Sequence, residues 1–165
     1  MGVEEYRILS ALTDDEHLAV ADLVSERGEV TGGHIRRGLK SAICVCVCYR
    51  DGKLIGTSAL KRPLPSYVER ISRAAGIAQL DCGCLEFGYV AVDKDHERQG
   101  IGKRVSEMAL SLPEAQGQLI ATTRVDNKPM QQILSGNGFR VPGDPFPSSQ
   151  RDGVNLQLFV RDSAR

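Results

Sequence analysis

This chain of 165 residues has no charge excess, no apolar run of membrane length, no secretory leader and no even set of cysteines. Lys and Arg number 21, as do Asp and Glu, for a formal net charge of zero. A protein that grips nucleic acid by its phosphates carries a clear basic excess, so no nucleic-acid partner is expected. No stretch approaches the ~20 apolar residues that cross a bilayer, so no membrane partner is expected either. The start, MGVEEYRILS, is acidic and lacks the charged-then-apolar layout of a signal peptide. Tyr6 stands where an acylation signal beginning at Gly2 has Ser or Thr. These absences point to a cytoplasmic protein. No repeat, low-complexity tract or linker interrupts the chain, which reads as a single domain over 1–165. Its 41% apolar and 25% charged residues are ordinary for a globular protein long enough to bury a core.

Cysteine is present, but without the pattern of a disulfide framework. Cys44, Cys46, Cys48, Cys82 and Cys84 are five in number and lack a secretory context. ICVCVCY alternates Cys with Ile, Val and Tyr, the period of a strand, which puts three thiols on one face. Same-face neighbours on one strand cannot surround a tetrahedral ion, so they read as small core hydrophobes and no metal is expected. His17, His34 and His96 show no metal spacing and read as solvated helix or turn residues.

Periodicity then gives a mixed α/β order. Tyr6–Ala11 reads as a strand, and Thr13 with Glu16 has capping-box spacing ahead of an amphipathic helix through Leu18–Val24. Thr31–Ala42 reads as a shorter helix or lid. Ile43–Tyr49 and Leu54–Leu60 form a hairpin around Asp51-Gly52. The long connection Lys61–Cys84 carries a helix near Tyr67–Ala75, with Ser66 and Glu69 as a second capping box. Leu85–Val92 is a strand, and Ile101, Val105, Met108 and Leu112 mark the face of a helix stopped by Pro113. A strand at Leu119–Val125, a helix at Pro129–Leu134 closed by Ser135–Gly138, and strands at FRVPG and Val154–Val160 complete the chain.

The segment HERQGIGKRV, His96–Val105, interrupts this pattern at a strand-to-helix junction. Such junctions are where α/β sheets bind ligands. A helix beginning near Gly100 offers unpaired N–H groups and a positive dipole end to an anion. Gly100 and Gly102 let backbone approach without a Cβ, and Arg98, Lys103 and Arg104 add charge. A nucleotide P-loop would need Gly at Glu97 and a hydroxyl at Arg104, and a dinucleotide fingerprint would need Gly at Val105. Neither fits.

The stretch Glu97-Arg98-Gln99-Gly100-Ile101-Gly102 resembles the [QR]-x-x-G-x-[GA] pyrophosphate loop of the GNAT N-acetyltransferase superfamily. LEFGYVAVDKDHERQGIGKRV looks like that family's fourth strand, turn and third helix. VDNKPMQQILSGNGF looks like its later Asn-containing segment, and YRDGKLIGTSAL like its early hairpin. The resemblance implies a GNAT fold: a mixed central sheet flanked by about four helices and splayed between strands four and five. It implies acetyl-CoA as cosubstrate and an amine of a small molecule or peptide as acceptor. Backbone of Val90, Ala91 and Val92 would hold the pantetheine arm, amides from Arg98, Gln99, Gly100, Ile101, Gly102 and Lys103 the pyrophosphate, and Asn127 and Met130 the region near the thioester. Glu86 matches the family's general-base glutamate, with Asp81 as a lesser substitute.

Strand alternation groups Glu86, Gly88, Val90 and Val92 on one face and turns Tyr89 away unless a bulge intervenes. Two departures from the family stand out. Glu97 is an anion where Gln or Arg is usual, with Arg98 as the nearest compensating charge. Leu134 occupies the position of the tyrosine that protonates the leaving thiolate. A non-catalytic CoA-binding regulatory or interaction module is therefore the alternative function. Many members of the family dimerise, so by analogy alone a homodimer is a possible assembly, with Val154–Val160 as a pairing edge if it is open.

Overall fold

The computed structural model describes residues 2–27, 32–78 and 80–164. In chain order the elements are β1 (Glu4–Leu9), α1 (Asp14–Arg27), α2 (Gly32–Lys40), β2 (Ala42–Arg50), β3 (Lys53–Lys61), α3 (Pro65–Ala75) and β4 (Leu85–Val92). They continue with α4 (Ile101–Leu110), β5 (Leu119–Arg124), α5 (Lys128–Gly136), β6 (Phe146–Pro147) and β7 (Asn155–Arg161). Short 3₁₀ turns cover Lys94–His96 and Pro113–Gln116. The mixed α/β class is as expected, with five α-helices among the described residues rather than about four. Strands hydrogen-bond in the order β1-β2-β3-β4-β5-β7-β6. The chain divides into two compact units, Met1–Lys61 with Phe87–Leu112 and Arg62–Glu86 with Pro113–Arg165, so β4 contributes to both. No described helix is long and apolar enough to cross a membrane.

In the first unit the expected capping box forms. Thr13 N donates to Glu16 Oε1 at 2.8 Å, and Glu16 N donates to Thr13 Oγ1 at 3.2 Å, which starts α1. The expected element Thr31–Ala42 is helical from Gly32, and Thr31 lies outside the described residues. β1 begins two residues earlier than its apolar pattern suggests and pairs antiparallel with β2 from Glu4↔Arg50 to Leu9↔Val45. Asp51 and Gly52, at φ 52° and 79°, close the β2–β3 hairpin with a two-residue turn.

The thiols of β2 are buried as small core hydrophobes, as expected, and the whole run Cys44 through Cys48 is buried. Val45 and Val47 pack with Val20, Leu23, Ile35 and Leu39 from α1 and α2. Cys46 and Cys48 turn to the other face, beneath α4. A strand covered on both sides reads as a continuous apolar run, as Cys44 through Cys48 does. Hydrogen bonding to Cys44 and burial raise the Cys46 thiol, and burial raises that of Cys48, so both stay protonated and inert. None of the five cysteines is in a disulfide.

α4 is seated on β3 by a close approach and a hydrogen bond. A Cβ at Gly56 would lie 2.4 Å from Ile101 Cγ2, so the glycine makes the space that the first residue of α4 fills. Ser58, fully buried, donates to the Val105 carbonyl at 2.7 Å.

The second unit holds α3, the start of β4, β5, α5, β6 and β7. The expected Ser66–Glu69 capping box does not form. Pro65, whose fixed φ suits a first helical turn, starts α3 earlier, and Glu69 pairs instead with Arg73 at 2.7 Å. β4 and β5 run parallel through Leu85↔Leu119 and Glu86↔Ile120. β7 is not an edge. It lies between β5 and β6, with a further bridge from Arg140 to Val160, so the proposed pairing edge at Val154–Val160 is covered within the chain. Ile71 and Ala75 of α3 pack on Cys84, Ile120, Leu158 and Val160.

Gly56→Ala should destabilise the protein by about 1–3 kcal/mol through overpacking against Ile101. Urea unfolding at neutral pH measures this, and an unchanged midpoint would contradict the role given to Gly56.

Candidate functional site

Residues of the first unit build an anion cradle at the start of α4. The turn leaving β4 is fixed by Asp93, whose backbone N donates to the Ile55 carbonyl at 2.8 Å. The Asp93 carboxylate meets Lys53 Nζ at 3.2 Å, His96 Nδ1 at 2.7 Å and the Asp95 backbone N at 3.2 Å. His96, and then Lys53, hold this carboxyl below its ordinary pKa. His96 is therefore a brace for the turn rather than a solvated residue, with its side chain only 19% exposed.

Arg98 at φ 62° and Gly100 at φ 81° are both left-handed. Glycine accepts that conformation freely, whereas Arg98 does so at a cost that surrounding structure must offset. Arg104 N makes the first intrahelical bond, to Gly100 O at 3.0 Å. The N–H groups of Ile101, Gly102 and Lys103 come before it, so they have no acceptor within the helix. Their dipoles add to the positive end of α4 and suit an anion. Gln99 Oε1 accepts from Arg50 Nη2 at 2.9 Å, and Arg50 also pairs with Glu4. Glu97 pairs with Arg27 from the last turn of α1, so the compensating charge comes from there rather than from Arg98. An open groove of about 720 Å³ borders the same turn, lined in part by Tyr6, Gln99, Gly100, Lys103 and Arg104.

Along β4, Ala91 is buried while Val90 and Val92 are half-buried. Tyr89 has φ 52°, which interrupts the alternation that would group Glu86, Gly88, Val90 and Val92. Its ring lies 3.6 Å from Lys61 Nζ, and its hydroxyl donates to the His34 carbonyl at 3.4 Å. A Cβ at Gly38 would lie 2.0 Å from that hydroxyl, so Gly38 leaves the space that Tyr89 occupies.

Residues of the second unit place a carboxylate beside a phenol. Glu86 pairs in register with Ile120, and Ile120 packs against α3, so Glu86 lies on the α3 side of the strands. Tyr67 of α3 packs on the same cluster and hydrogen-bonds both Thr122, at 3.4 Å, and Glu86. Burial, and then the charge of Glu86, raise the Tyr67 hydroxyl far above its ordinary pKa. It stays protonated and donates to the carboxylate, while Thr122 donates to it. Asn127 caps α5, its Oδ1 accepting from Met130 N at 3.2 Å, which leaves the amide nitrogen as the group open to a ligand. Met130 is half-buried. Leu134 is fully buried in the core and offers no proton. Asp81 is exposed in the turn before β4.

Arg98 to Lys103 form the left-handed turn into α4, and Glu86 gains a partner that the sequence does not announce. Tyr67 lies 19 residues earlier on a separate helix, and Arg27 and Arg50 are farther still from the loop. No local spacing signals such contacts.

The family model for the acetyltransferase (GNAT) family matches residues 7–139. No curated protein matches the sequence. Among solved structures, the chain resembles a GNAT-family acetyltransferase from Streptococcus agalactiae at 16% identity, with 97% of this chain and 96% of that one covered and a TM-score of 0.70. A GNAT-family acetyltransferase from Elizabethkingia anophelis with acetyl-CoA bound aligns at 15% identity, covering 96% and 97%, with a TM-score of 0.65. The ribosomal-protein-S18-alanine N-acetyltransferase from Escherichia coli aligns at 14% identity, covering 98% and 96%, with a TM-score of 0.66.

The Asp93 carboxyl has a folded pKa below its unfolded value, so its stabilisation is present above the unfolded range and is lost as pH falls through the folded value. Asp93→Asn should cost roughly 1–3 kcal/mol at pH 7. Urea unfolding of both proteins across pH should show the difference shrinking below about pH 4. A difference that stays constant down to pH 2 would contradict this role.

Proposed function

Because the chain belongs to the acetyltransferase (GNAT) family, we propose that it transfers an acetyl group from acetyl-CoA directly to a primary amine of a small molecule or peptide. Residues 1–165 would act as one catalytic domain. The observation that carries this reading is the first turn of α4, where three helix N–H groups follow a left-handed Gly100 and meet no internal acceptor. That arrangement suits the pyrophosphate of CoA. The acetyl-CoA bound to the Elizabethkingia relative supports the same choice of ligand.

The remaining roles follow the chemistry of aminolysis. Backbone of Val90, Ala91 and Val92 would take the pantetheine arm as an added strand. Asn127, through its amide nitrogen, and Met130 would meet the arm near the thioester. Glu86 would accept a proton from the incoming ammonium, so that the neutral amine attacks the thioester carbon. Tyr67, hydrogen-bonded to Glu86, would hold that carboxylate in place. A strand-four N–H near Val90 would stabilise the oxyanion. The C–N bond forms and the C–S bond breaks; the second proton on nitrogen passes to water, and the thiolate takes its proton from water, since Leu134 has none to give. A thiolate is a stable leaving group near neutral pH, so the step needs neither that tyrosine nor a metal. Five cysteines outside any disulfide favour a reducing, cytoplasmic location.

Buried Leu134 at the family's acid position is the observation that favours a non-catalytic CoA-binding module instead. Assaying free thiol released from acetyl-CoA over a panel of primary amines and peptide N-termini separates the two. Turnover on at least one acceptor is expected. Glu86→Gln should lower kcat by roughly 10²-fold or more while acetyl-CoA affinity stays within about twofold. Binding without turnover would favour the non-catalytic module, and no binding by folded protein would overturn both.

A further inference from the structure

The loop from Glu97 to Gly100 is held from two sides by arginines that belong to distant elements. Arg27, in the last turn of α1, pairs with the Glu97 carboxylate. Arg50, at the end of β2, donates to Gln99 Oε1 at 2.9 Å and pairs with Glu4. The two tethered residues flank Arg98, the left-handed residue of the loop at φ 62°. Glu97 is thus the one acidic residue within the cradle segment, three residues before Gly100 and the α4 N-terminus.

An unpaired carboxylate there would repel any phosphate brought to the N–H groups of Ile101, Gly102 and Lys103. Both side chains are solvent-exposed, so that repulsion is strongest at low salt. Guanidinium is charged at every accessible pH, so Arg27 keeps its charge beside Glu97 as pH changes. Arg27 also sits at the C-terminal end of α1, where a cation is favoured even without its partner.

We infer that Arg27 is a positioning residue for this cradle: by neutralising and holding Glu97 it keeps the α4 N-terminus receptive to a pyrophosphate, without touching the ligand itself. The inference rests on the acetyl-CoA reading given above. It makes Arg27 and Glu97 energetically coupled in ligand binding, although the arginine is 70 residues away from the loop in sequence.

Calorimetric titration of acetyl-CoA into the wild type, Arg27→Ala, Arg27→Lys, Glu97→Gln and the Arg27→Ala/Glu97→Gln double variant tests this. Arg27→Ala should weaken binding roughly tenfold, a normal size for such a coupling. Arg27→Lys, which keeps the charge, should recover most of that loss. Glu97→Gln should bind as tightly as the wild type or tighter, and the double variant should follow Glu97→Gln to within about twofold. An equal loss from Arg27→Ala in both backgrounds would overturn the inference, because Arg27 would then act on the ligand or the fold and not through Glu97. Should Arg27→Ala fail to fold, weaker binding by Glu97→Gln alone would overturn it. Absence of binding by the folded wild type would instead count against the acetyl-CoA reading, and the inference would go with it. Binding without coupling counts against the role of Arg27 only.

Discussion

The first turn of α4 is the constraint on which the first unit depends. A helix must begin with N–H groups that it cannot satisfy itself, and a beginning this open needs firm placement. Gly56 and Ser58 of β3 supply it from below, one by making space for Ile101 and the other by bonding the Val105 carbonyl. Asp93 supplies it from the side of the incoming turn. Left-handed backbone at Arg98 and Gly100 then turns the chain sharply into the helix. Each of these features costs something locally: a buried hydroxyl, a buried carboxylate, an unfavourable φ. Together they hold the helix end in place.

Much of this was legible in the sequence, and the reason is that the relevant signals are local. Two glycines with cations at a strand-to-helix junction indicate an anion site through backbone chemistry that operates within ten residues. Asp51-Gly52, Thr13-Glu16 and the bounds of β4 were readable for the same reason. What could not be read depends on contacts between segments far apart in the chain. The pairing of Arg27 with Glu97 and of Tyr67 with Glu86 has no spacing rule behind it. The positive φ at Tyr89 is a further case, since nothing in LEFGYVAV marks the point where strand alternation breaks. β2 is legible only in part: its thiols read as small core hydrophobes and are buried, but its Cys and Val residues are both apolar, so alternation between them carries no information about which face is covered.

In the second unit, chemistry and stability draw on the same residues. Tyr67 holds Glu86 and Thr122 by hydrogen bonds, yet it also packs on the cluster formed by Ile71, Ile120 and Leu158. Leu134 belongs wholly to the core, so α5 contributes its N-terminal cap, Asn127 and Met130, rather than a proton donor.

The central claim is that the amides opening α4 receive the pyrophosphate of acetyl-CoA. Backbone amide shifts in NMR spectra of isotopically labelled protein, followed during addition of acetyl-CoA, test it most directly. The account predicts that the largest saturable changes fall on Gly100, Ile101, Gly102 and Lys103, with Val90–Val92 next. Saturable binding that leaves those four amides unmoved would contradict it.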